Sequence, residues 1–321
     1  MAAPPPAPPP HPGGLGTLDL VGLLTHPDWG VAVFQLLGND TAAATALRGT
    51  CRELRDAVAG HAWHYTETRI AWPGRWRAAF PAATAANVSR NCDGPPSRLT
   101  DADFAHFRGI HTLDMSGCSQ ETITDAAFMH VAGIHTMDMT GCFQRTVTDA
   151  AFAHLAGIHT LHMNGCWQYA ITDAAFVHLV GIHTLCMSQC NQATITDAAF
   201  VHLAGIHTLC MSQCNQATIT DVAFAHLAGI HTLYMIWCDQ ETISDAAFAH
   251  LAGIHTLEMS HCSQWTITGA AFERLSGINT LVIRGCIQWS IPDEAFSHML
   301  FLRGFQFSDP FAHLVGSTVV R

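Results

Sequence analysis

The chain has 321 residues, of which 49% are hydrophobic and only 12% are charged, a composition that suits a large buried core. The formal net charge is −11 and there is no basic cluster, which argues against nucleic acid or an anionic membrane surface as a partner. No apolar run approaches the roughly 18 residues that a membrane-spanning helix needs, so we expect no membrane insertion.

Residues 1–14, MAAPPPAPPPHPGG, are a proline-rich leader without the basic start and apolar run of a signal peptide. We expect a disordered tail there. The following segment, residues 15–64, has no internal repeat and predicts three helices. Apolar residues between positions 31 and 37 mark the first helix, the second runs from Ala42 to about Thr50, and the third carries Leu54 and Val58.

The part of this segment that reads HPDWGVAVFQLLGNDTAAATALRGTCRELRDAVAGHAW resembles an F-box. The matching features are a P-D-x-x-x-x-V-F-x-x-L entry, a D-T-x-x-x-x-x-L middle and a T-C-R-E-L-R-D end. The resemblance implies a small all-α module that docks a Skp-type adaptor on the cullin scaffold of a ubiquitin ligase. The residues implied for adaptor binding are Pro27, Val31, Phe34, Leu36, Leu37 and Leu47. The alternative is a plain helical cap over the open end of the repeats.

Residues 65–98 connect this module to a repeated region. Ala86 and Val88 fall on apolar sites of the repeat, and Asn91 falls where later units place cysteine. We therefore predict a linker and a degenerate N-terminal capping repeat, because the terminal units of a repeat array shield the ends of its core. At the other end, residues 310–321 are predicted to be a C-terminal cap or tail.

Residues 99–309 repeat a 24-residue unit about nine times. Its aspartates are Asp101, Asp125, Asp149, Asp173, Asp197, Asp221, Asp245 and Asp293, with Gly269 in the one gap. Its cysteines are Cys118, Cys142, Cys166, Cys190, Cys214, Cys238, Cys262 and Cys286. A fixed period of this length indicates a stacked solenoid in which each unit forms one turn of a coil.

A single unit predicts one short strand and one short helix. Apolar Leu113 alternates with polar Asp114, which is typical of a strand with one buried and one open face. Thr124 and the aspartate after it begin a helix over residues 126–131, and Gly133 ends that helix. Neither element is stable alone, so we expect parallel strands of successive turns to pair, the last near Phe305, along the concave side.

The pattern I-x-x-L-x-M-x-x-C, followed by I-T-D-x-x-F-x-x-L, resembles the cysteine-containing leucine-rich repeat. The resemblance implies an α/β horseshoe solenoid with parallel strands on its concave face. The glutamine two residues after each cysteine, as in Gln120, Gln144 and Gln168, is expected to form a hydrogen-bond ladder between turns.

Histidine forms two columns in the repeats. One contains His106, His130, His154, His178, His202, His226 and His250, and the other contains His111, His135, His159, His183, His207, His231 and His255. Zinc prefers a closed tetrahedral ligand set, which a linear column of one residue type does not offer, so we expect no metal site. The alternative is a histidine-rich metal-buffering protein.

The repeat cysteines are expected to behave as small buried residues, and with no signal peptide they indicate a reducing compartment. The expected location is therefore the cytoplasm or nucleus. Cys186 and Cys210 differ from the others because they occupy equivalent open-face positions in adjacent turns. A surface thiol pair is one interpretation. A recent duplication is the other, since the two units differ only at Val180 and Ala204.

No nucleophile elbow, phosphate loop or unrepeated cluster of His, Asp and Ser is present, so we expect neither catalysis nor a cofactor. The variation between units is more informative. The middle open-face site reads Asp114, Asp138, His162, Cys186, Cys210, Tyr234, Glu258 and Val282, and aromatic residues such as Trp237 lie just beyond the strands. Acidic and aromatic side chains on one face are typical of protein recognition. The alternative is drift at unconstrained positions.

The sequence therefore favours a substrate-recognition adaptor of a Skp-cullin-F-box type ubiquitin ligase, with an unidentified protein substrate on the concave face. The predicted substrate-binding residues are Asp114, Asp138, His162, Tyr234, Trp237 and Glu258. The second hypothesis is an interaction scaffold outside any ligase, whose N-terminal helices only cap the solenoid.

Overall fold

A computed structural model describes residues 21–22, 41–64, 69–89 and 99–286. The leader at 1–14, the cap at 310–321 and the strand expected near Phe305 lie outside the described residues, as does Asn91. So do the predicted adaptor-binding residues Pro27, Val31, Phe34, Leu36 and Leu37.

Nine three-residue strands in the described part of the chain form one parallel sheet in chain order. The strands are β1 (Ala85–Asn87), β2 (Thr112–Asp114), β3 (Thr136–Asp138), β4 (Thr160–His162), β5 (Thr184–Cys186), β6 (Thr208–Cys210), β7 (Thr232–Tyr234), β8 (Thr256–Glu258) and β9 (Thr280–Val282). Each central apolar residue is buried, and in six of the nine strands both of its neighbours are half-buried. In the other three strands one neighbour is buried as well, namely Ala85, Cys186 or Thr232.

The first strand lies in the segment where the sequence predicted a degenerate opening turn. Ala86 pairs with Leu113, and the amide of Val88 donates to the carbonyl of Asp114 at 2.7 Å. The chain thus starts its coil before the 24-residue repeat becomes recognisable.

Each of the strands β1–β8 is followed by a helix shorter than the one predicted over residues 126–131. In that turn four residues are α-helical, and the chain then tightens into a 3-10 turn at Met129–Val131. The α-helices are α1 (Thr41–Arg48), α2 (Arg52–Gly60), α3 (Pro73–Ala79), α4 (Asp101–Phe104), α5 (Asp125–Phe128), α6 (Asp149–Phe152), α7 (Asp173–Phe176), α8 (Asp197–Phe200), α9 (Asp221–Ala225), α10 (Asp245–Phe248) and α11 (Gly269–Glu273). The tightening brings Phe128 and Val131 into the core.

The helices α1 and α2 belong to the same hydrophobic core as the repeats. Trp63, just after α2, is fully buried, and its ring meets the ring of Phe80 edge to face at 5.7 Å between centroids. Its carbonyl accepts hydrogen bonds from the amides of Thr84 and Ala85 at the start of β1. The described part of the N-terminal module therefore covers the open end of the solenoid.

A carboxylate joins each of the helices α4–α10 to the next turn. The threonine before a helix caps it, as when the Thr148 hydroxyl accepts from the Ala150 amide at 3.2 Å. The aspartate that follows, Asp149, accepts from both the amide and the hydroxyl of Thr172 in the next turn, at 2.7 Å each. The same pair of bonds recurs from Asp101 to Asp245. The aspartates thus hold neighbouring turns together as well as beginning helices.

Side chains bridge the turns at the carboxyl ends of the strands as well. The Cys190 thiol donates to the carbonyl of Met163, 27 residues earlier, at 3.1 Å. The Gln192 amide donates to the carbonyl of Cys166 at 3.1 Å. The expected ladder between turns is present at Gln168, Gln192, Gln216 and Gln240, where each side-chain amide donates to a buried backbone carbonyl that needs a donor. It is absent at Gln144, whose side-chain amide has no hydrogen-bond partner within the described residues.

Replacing Asp149 with alanine should lower the free energy of unfolding by about 1–3 kcal/mol, because two half-buried donors of Thr172 lose a charged acceptor. Asp149→Asn keeps one acceptor oxygen and should lose less. Chemical denaturation of the full chain measures both values. Glu241→Ala, at an exposed position, serves as the control and should change stability by less than about 0.5 kcal/mol. An Asp149→Ala loss as small as that of the control would contradict this role.

Candidate functional site

The most variable position of the repeat forms one continuous column on the open face of the sheet. Strand register stacks these residues directly, in the order Asn87, Asp114, Asp138, His162, Cys186, Cys210, Tyr234, Glu258 and Val282. We call this set the open column. It brings together five of the six residues that the sequence predicted for substrate binding. At the strand spacing of parallel sheets, Asp114 and Glu258 are about 29 Å apart.

The acidic part of the open column is held in position by its own backbone. The Asp114 carboxylate accepts from the amide of Ser116 at 2.9 Å, and the Asp138 carboxylate accepts from the amide of Thr140 at 2.8 Å. Each carboxylate is therefore oriented by a bond to one of its oxygens. Such groups suit basic or hydrogen-bond-donating partners.

At the centre of the open column, His162, Cys186, Cys210 and Tyr234 lie on four successive strands. The Sγ atoms of Cys186 and Cys210 are 2.8 Å apart. A hydrogen bond with Cys186 raises the pKa of His162, whereas burial, followed by the nearby acidic groups, raises the pKa of Tyr234. The centre therefore combines an imidazole and two thiols joined by hydrogen bonds, with a phenol on the next strand.

Trp237, the sixth predicted residue, lies three positions beyond Tyr234 and is 47% exposed. Its indole stacks on the ring of His261 at 4.2 Å between centroids and 6° between planes. Trp237 has a φ of 57°, in the left-handed region that favours glycine. This conformation costs free energy, and burial does not offset that cost because the side chain is about half exposed. Trp237 is therefore a candidate for function.

Four consecutive turns place a side chain at this left-handed position. They are Gln189, Gln213, Trp237 and His261, and we call this set the ledge. The other turns have glycine there: Gly117, Gly141, Gly165 and Gly285. A side chain at Gly285 would collide with the His261 ring. Three ledge residues were not predicted from the sequence, although the residues before the repeat cysteines form the series G-G-G-Q-Q-W-H-G, in which the change from glycine is visible.

A second aromatic surface lies beside the early turns. Phe143, Trp167 and Tyr169 are all more than half exposed, and with Arg145 they line an open groove of about 610 Å³. It is separate from the open column, since its residues follow the repeat cysteines rather than lie on the strands.

The two histidine columns behave differently. From His111 to His255, ring centroids of successive turns lie 4.3–4.5 Å apart with nearly parallel planes. No stacking of this kind occurs in the other column, from His106 to His250, among the described residues. The first column lies at the sheet, where turns are closest, and the second lies on the wider helical side.

Over the ranges that the structure describes, no group of three or more His, Cys, Asp and Glu side chains is arranged to hold a metal ion. A stacked column presents its rings face to face, so their nitrogens do not converge on one point. Within the same ranges, no helix is both long and apolar enough to cross a membrane.

The described fold is similar to solved leucine-rich-repeat structures. A crystal structure of the TLR13–ssRNA13 complex matches with a TM-score of 0.56 and 15% identity, covering 73% of this chain and 33% of that chain. The Toll–Spatzle complex from Drosophila matches with a TM-score of 0.55 and 16% identity, covering 79% of this chain and 39% of that chain. The chain thus spans little more than a third of these neighbours' length. No family model and no curated protein sequence matches it.

These findings define the class of protein. Nine parallel strands in register, with one 24-residue unit for each turn, make this a leucine-rich-repeat horseshoe solenoid. The resemblance seen in the sequence is confirmed at the level of the repeat.

The stacked histidines should make stability depend on pH. Loss of hydration, and then the charge of neighbouring rings, lowers the pKa of His135 and of His231. The unfolded chain then binds protons more readily, so stability is present above about pH 6.5 and is lost as pH falls through the lowered pKa values. The melting temperature of the full chain should therefore fall between about pH 7.5 and about pH 5.

Asparagine stands in the equivalent position of the last described turn, at Asn279, where its amide makes the same hydrogen bond to the preceding turn. His183→Asn should therefore fold and should reduce the pH dependence by dividing the stack. His202→Asn, in the column without stacking, is the matched control and should keep the dependence of the native chain. A native melting temperature that is equal at both pH values would exclude this effect.

Proposed function

We propose that this chain is a non-enzymatic recognition protein that binds a protein partner along the open column and the ledge. The observation that carries the proposal is the contrast between the two sides of the sheet. Behind the strands the turns repeat nearly the same buried residues, whereas in front the stacked position includes acidic, imidazole, thiol, aromatic and aliphatic side chains in strict register.

The chemistry of the surface supports a protein as the partner. Half-buried acids lie near both ends of the open column, at Asp114, Asp138 and Glu258. The aromatic residue Tyr234 lies in the same column, and Trp237 lies on the ledge. Rigid aromatic side chains supply most of the binding energy at many protein interfaces, and charges at the rim select the partner. A basic or amphipathic segment with an apolar anchor fits this arrangement.

The finer proposal is that the chain is the substrate-recognition adaptor of a Skp-cullin-F-box type ubiquitin ligase in the cytoplasm or nucleus. The resemblance of the N-terminal segment to an F-box supports it. The described helices α1 and α2 are compatible with such a module, and Leu47 on α1 is only partly buried against the core. In this role the N-terminal module binds a Skp-type adaptor while the concave face holds the substrate.

The second candidate is a scaffold without a ligase. It is favoured by one observation, namely that Leu54, Val58 and Trp63 are buried in the same core as the first turns. Those buried residues would cap the solenoid in either case. The ligase adaptor and the scaffold therefore differ only in whether the side of the module facing away from the solenoid binds a Skp-type adaptor.

Reversing the charge at Glu258 should reduce partner binding at least about tenfold, because a like charge is placed against a basic partner. The immobilised full chain is exposed to a cell extract, and captured proteins are quantified by mass spectrometry for native and Glu258→Lys protein. Glu273→Lys is the matched control, since Glu273 is an exposed glutamate at the end of α11 on the helical side.

Trp237→Gly provides an independent variant on the ledge. Glycine occupies the equivalent position in other turns, so this variant should keep its melting temperature while losing captured partner. The proposal fails if the captured proteins are unaffected by both concave-face variants, or if Glu273→Lys reduces capture equally.

The ligase role is tested by co-purifying the full chain with a Skp-type adaptor. Binding should be lost in Phe34→Ala and in Leu37→Ala, because the F-box resemblance assigns both residues to the adaptor contact. Arg55→Ala, at an exposed position of α2, is the control and should bind normally. Circular dichroism checks that each variant is folded. Absence of adaptor binding in the native chain would leave the capping role alone.

A further inference from the structure

We propose that Cys186 and Cys210 are an oxidisable thiol pair, which hydrogen peroxide converts into a disulfide between two turns at the centre of the concave face. This modification site is independent of whether the concave face binds a protein partner.

The geometry brings the two thiols together without any change of backbone. Cys186 and Cys210 are direct partners in the register of β5 and β6, and their Sγ atoms are 2.8 Å apart. The spacing of adjacent parallel strands, about 4.8 Å, lies within the Cα separations of about 4.4–6.8 Å that disulfides require. Both cysteines are free thiols in this structure.

The surroundings favour a thiolate on Cys186. Hydrogen bonds with Cys210 and with His162 lower the pKa of Cys186, while its burial and the charge of Asp138 act in the opposite direction. The pKa of Cys210 is raised, chiefly by its hydrogen bond with Cys186. On the far side of the pair stands Tyr234, whose own pKa is raised, so it is a neutral neighbour. One sulfur is thus ready to react, and the second retains its proton.

The repeat cysteines show how unusual this environment is. Thiols such as those of Cys166 and Cys214 are fully buried and donate to backbone carbonyls, and burial raises their pKa values. Because the thiolate is the reactive species, these buried thiols should not react with peroxide in the folded chain.

The reaction proceeds in two balanced steps. The Cys186 thiolate attacks one oxygen of hydrogen peroxide, the O–O bond breaks, and hydroxide leaves to form water with a proton, giving a sulfenic acid at Cys186. Cys210 then attacks that sulfur as it loses its proton, the S–O bond breaks, the S–S bond forms and a second water leaves. Two thiols are oxidised and one peroxide is reduced to two waters.

The near identity of the two turns is compatible with this proposal. Residues 173–196 and 197–220 differ only at Val180 and Ala204, so a duplication accounts for the origin of the second cysteine. It does not determine the chemistry, which follows from the register that places the copies side by side and from His162 in the preceding turn.

The repeat also supplies a direct assay. An endoprotease that cuts before aspartate releases residues 173–196 and 197–220 as separate peptides, since neither contains an internal aspartate. The folded full chain is treated with hydrogen peroxide, denatured and alkylated before digestion. We expect the two peptides to be joined through Cys186 and Cys210, with Cys190 and Cys214 alkylated. The native pair should react at least about tenfold faster than the half-buried Cys51.

Two variants test the order of the steps. Cys210→Ser should leave a sulfenic acid at Cys186 that a cyclic 1,3-dione traps, whereas Cys186→Ser should give neither the trapped adduct at residue 210 nor the joined peptides. Cys51→Ser is the matched control and should behave as the native chain.

The peptide map of the peroxide-treated native chain tests the proposal even if a variant fails to fold. Full alkylation of both Cys186 and Cys210 after peroxide treatment would overturn the proposal. So would a link through Cys190 and Cys214, or oxidation of Cys186 beyond the sulfenic acid with Cys210 still alkylated.

Discussion

The structure depends on one constraint, which is that every residue lies beside its equivalent 24 positions away. Strands of three residues cannot persist alone, and they are held because the amides of one turn donate to the carbonyls of the next. The hydrogen bonds continue past the strands, as in the donation from Met139 to the carbonyl of His162 at 2.8 Å. Side-chain columns then extend the same register to the whole circumference of the coil.

The aspartate column shows how strictly this register constrains the sequence. Each aspartate from Asp101 to Asp245 needs two donors on the residue 23 positions later, and threonine or serine supplies an amide and a hydroxyl. The exception is Gly269, and the residue 23 positions after it is Pro292. Proline has neither an amide hydrogen nor a hydroxyl, so the gap at Gly269 coincides in the sequence with a residue that cannot supply the two donors.

Much of the fold could be predicted from the sequence because register is visible as periodicity. The strand positions from Leu113 to Leu281, the capping threonines and the composition of the open column all follow from a constant spacing. What could not be predicted depends on distance in three dimensions. Two histidine columns look alike in the sequence, yet only the one from His111 stacks, because spacing between turns is smaller at the strands than at the helices.

The open column was predicted from the sequence because its residue type varies between turns. The ledge was not predicted, apart from Trp237, because it is defined by backbone conformation. The open column stands out as a change in chemistry against a constant background. The ledge requires a different inference, namely that the residue before each cysteine must adopt a positive φ, so that replacing glycine there has a cost. Four adjacent turns have a residue other than glycine in this conformation, namely Gln189, Gln213, Trp237 and His261. These turns are next to the part of the open column that contains the thiol pair and Tyr234.

A solenoid can accept these changes because each turn contacts mainly its neighbours. A substitution on the concave face leaves the buried leucine, methionine and phenylalanine behind it undisturbed, since strand residues alternate between the two sides. The positive φ angles of the ledge would cost free energy that an isolated turn could not offset. The thiol pair requires two neighbouring turns held in register. Here the turn is held by aspartate, cysteine and glutamine bonds on both sides, so local strain and reactivity can be maintained at the surface without loss of the fold.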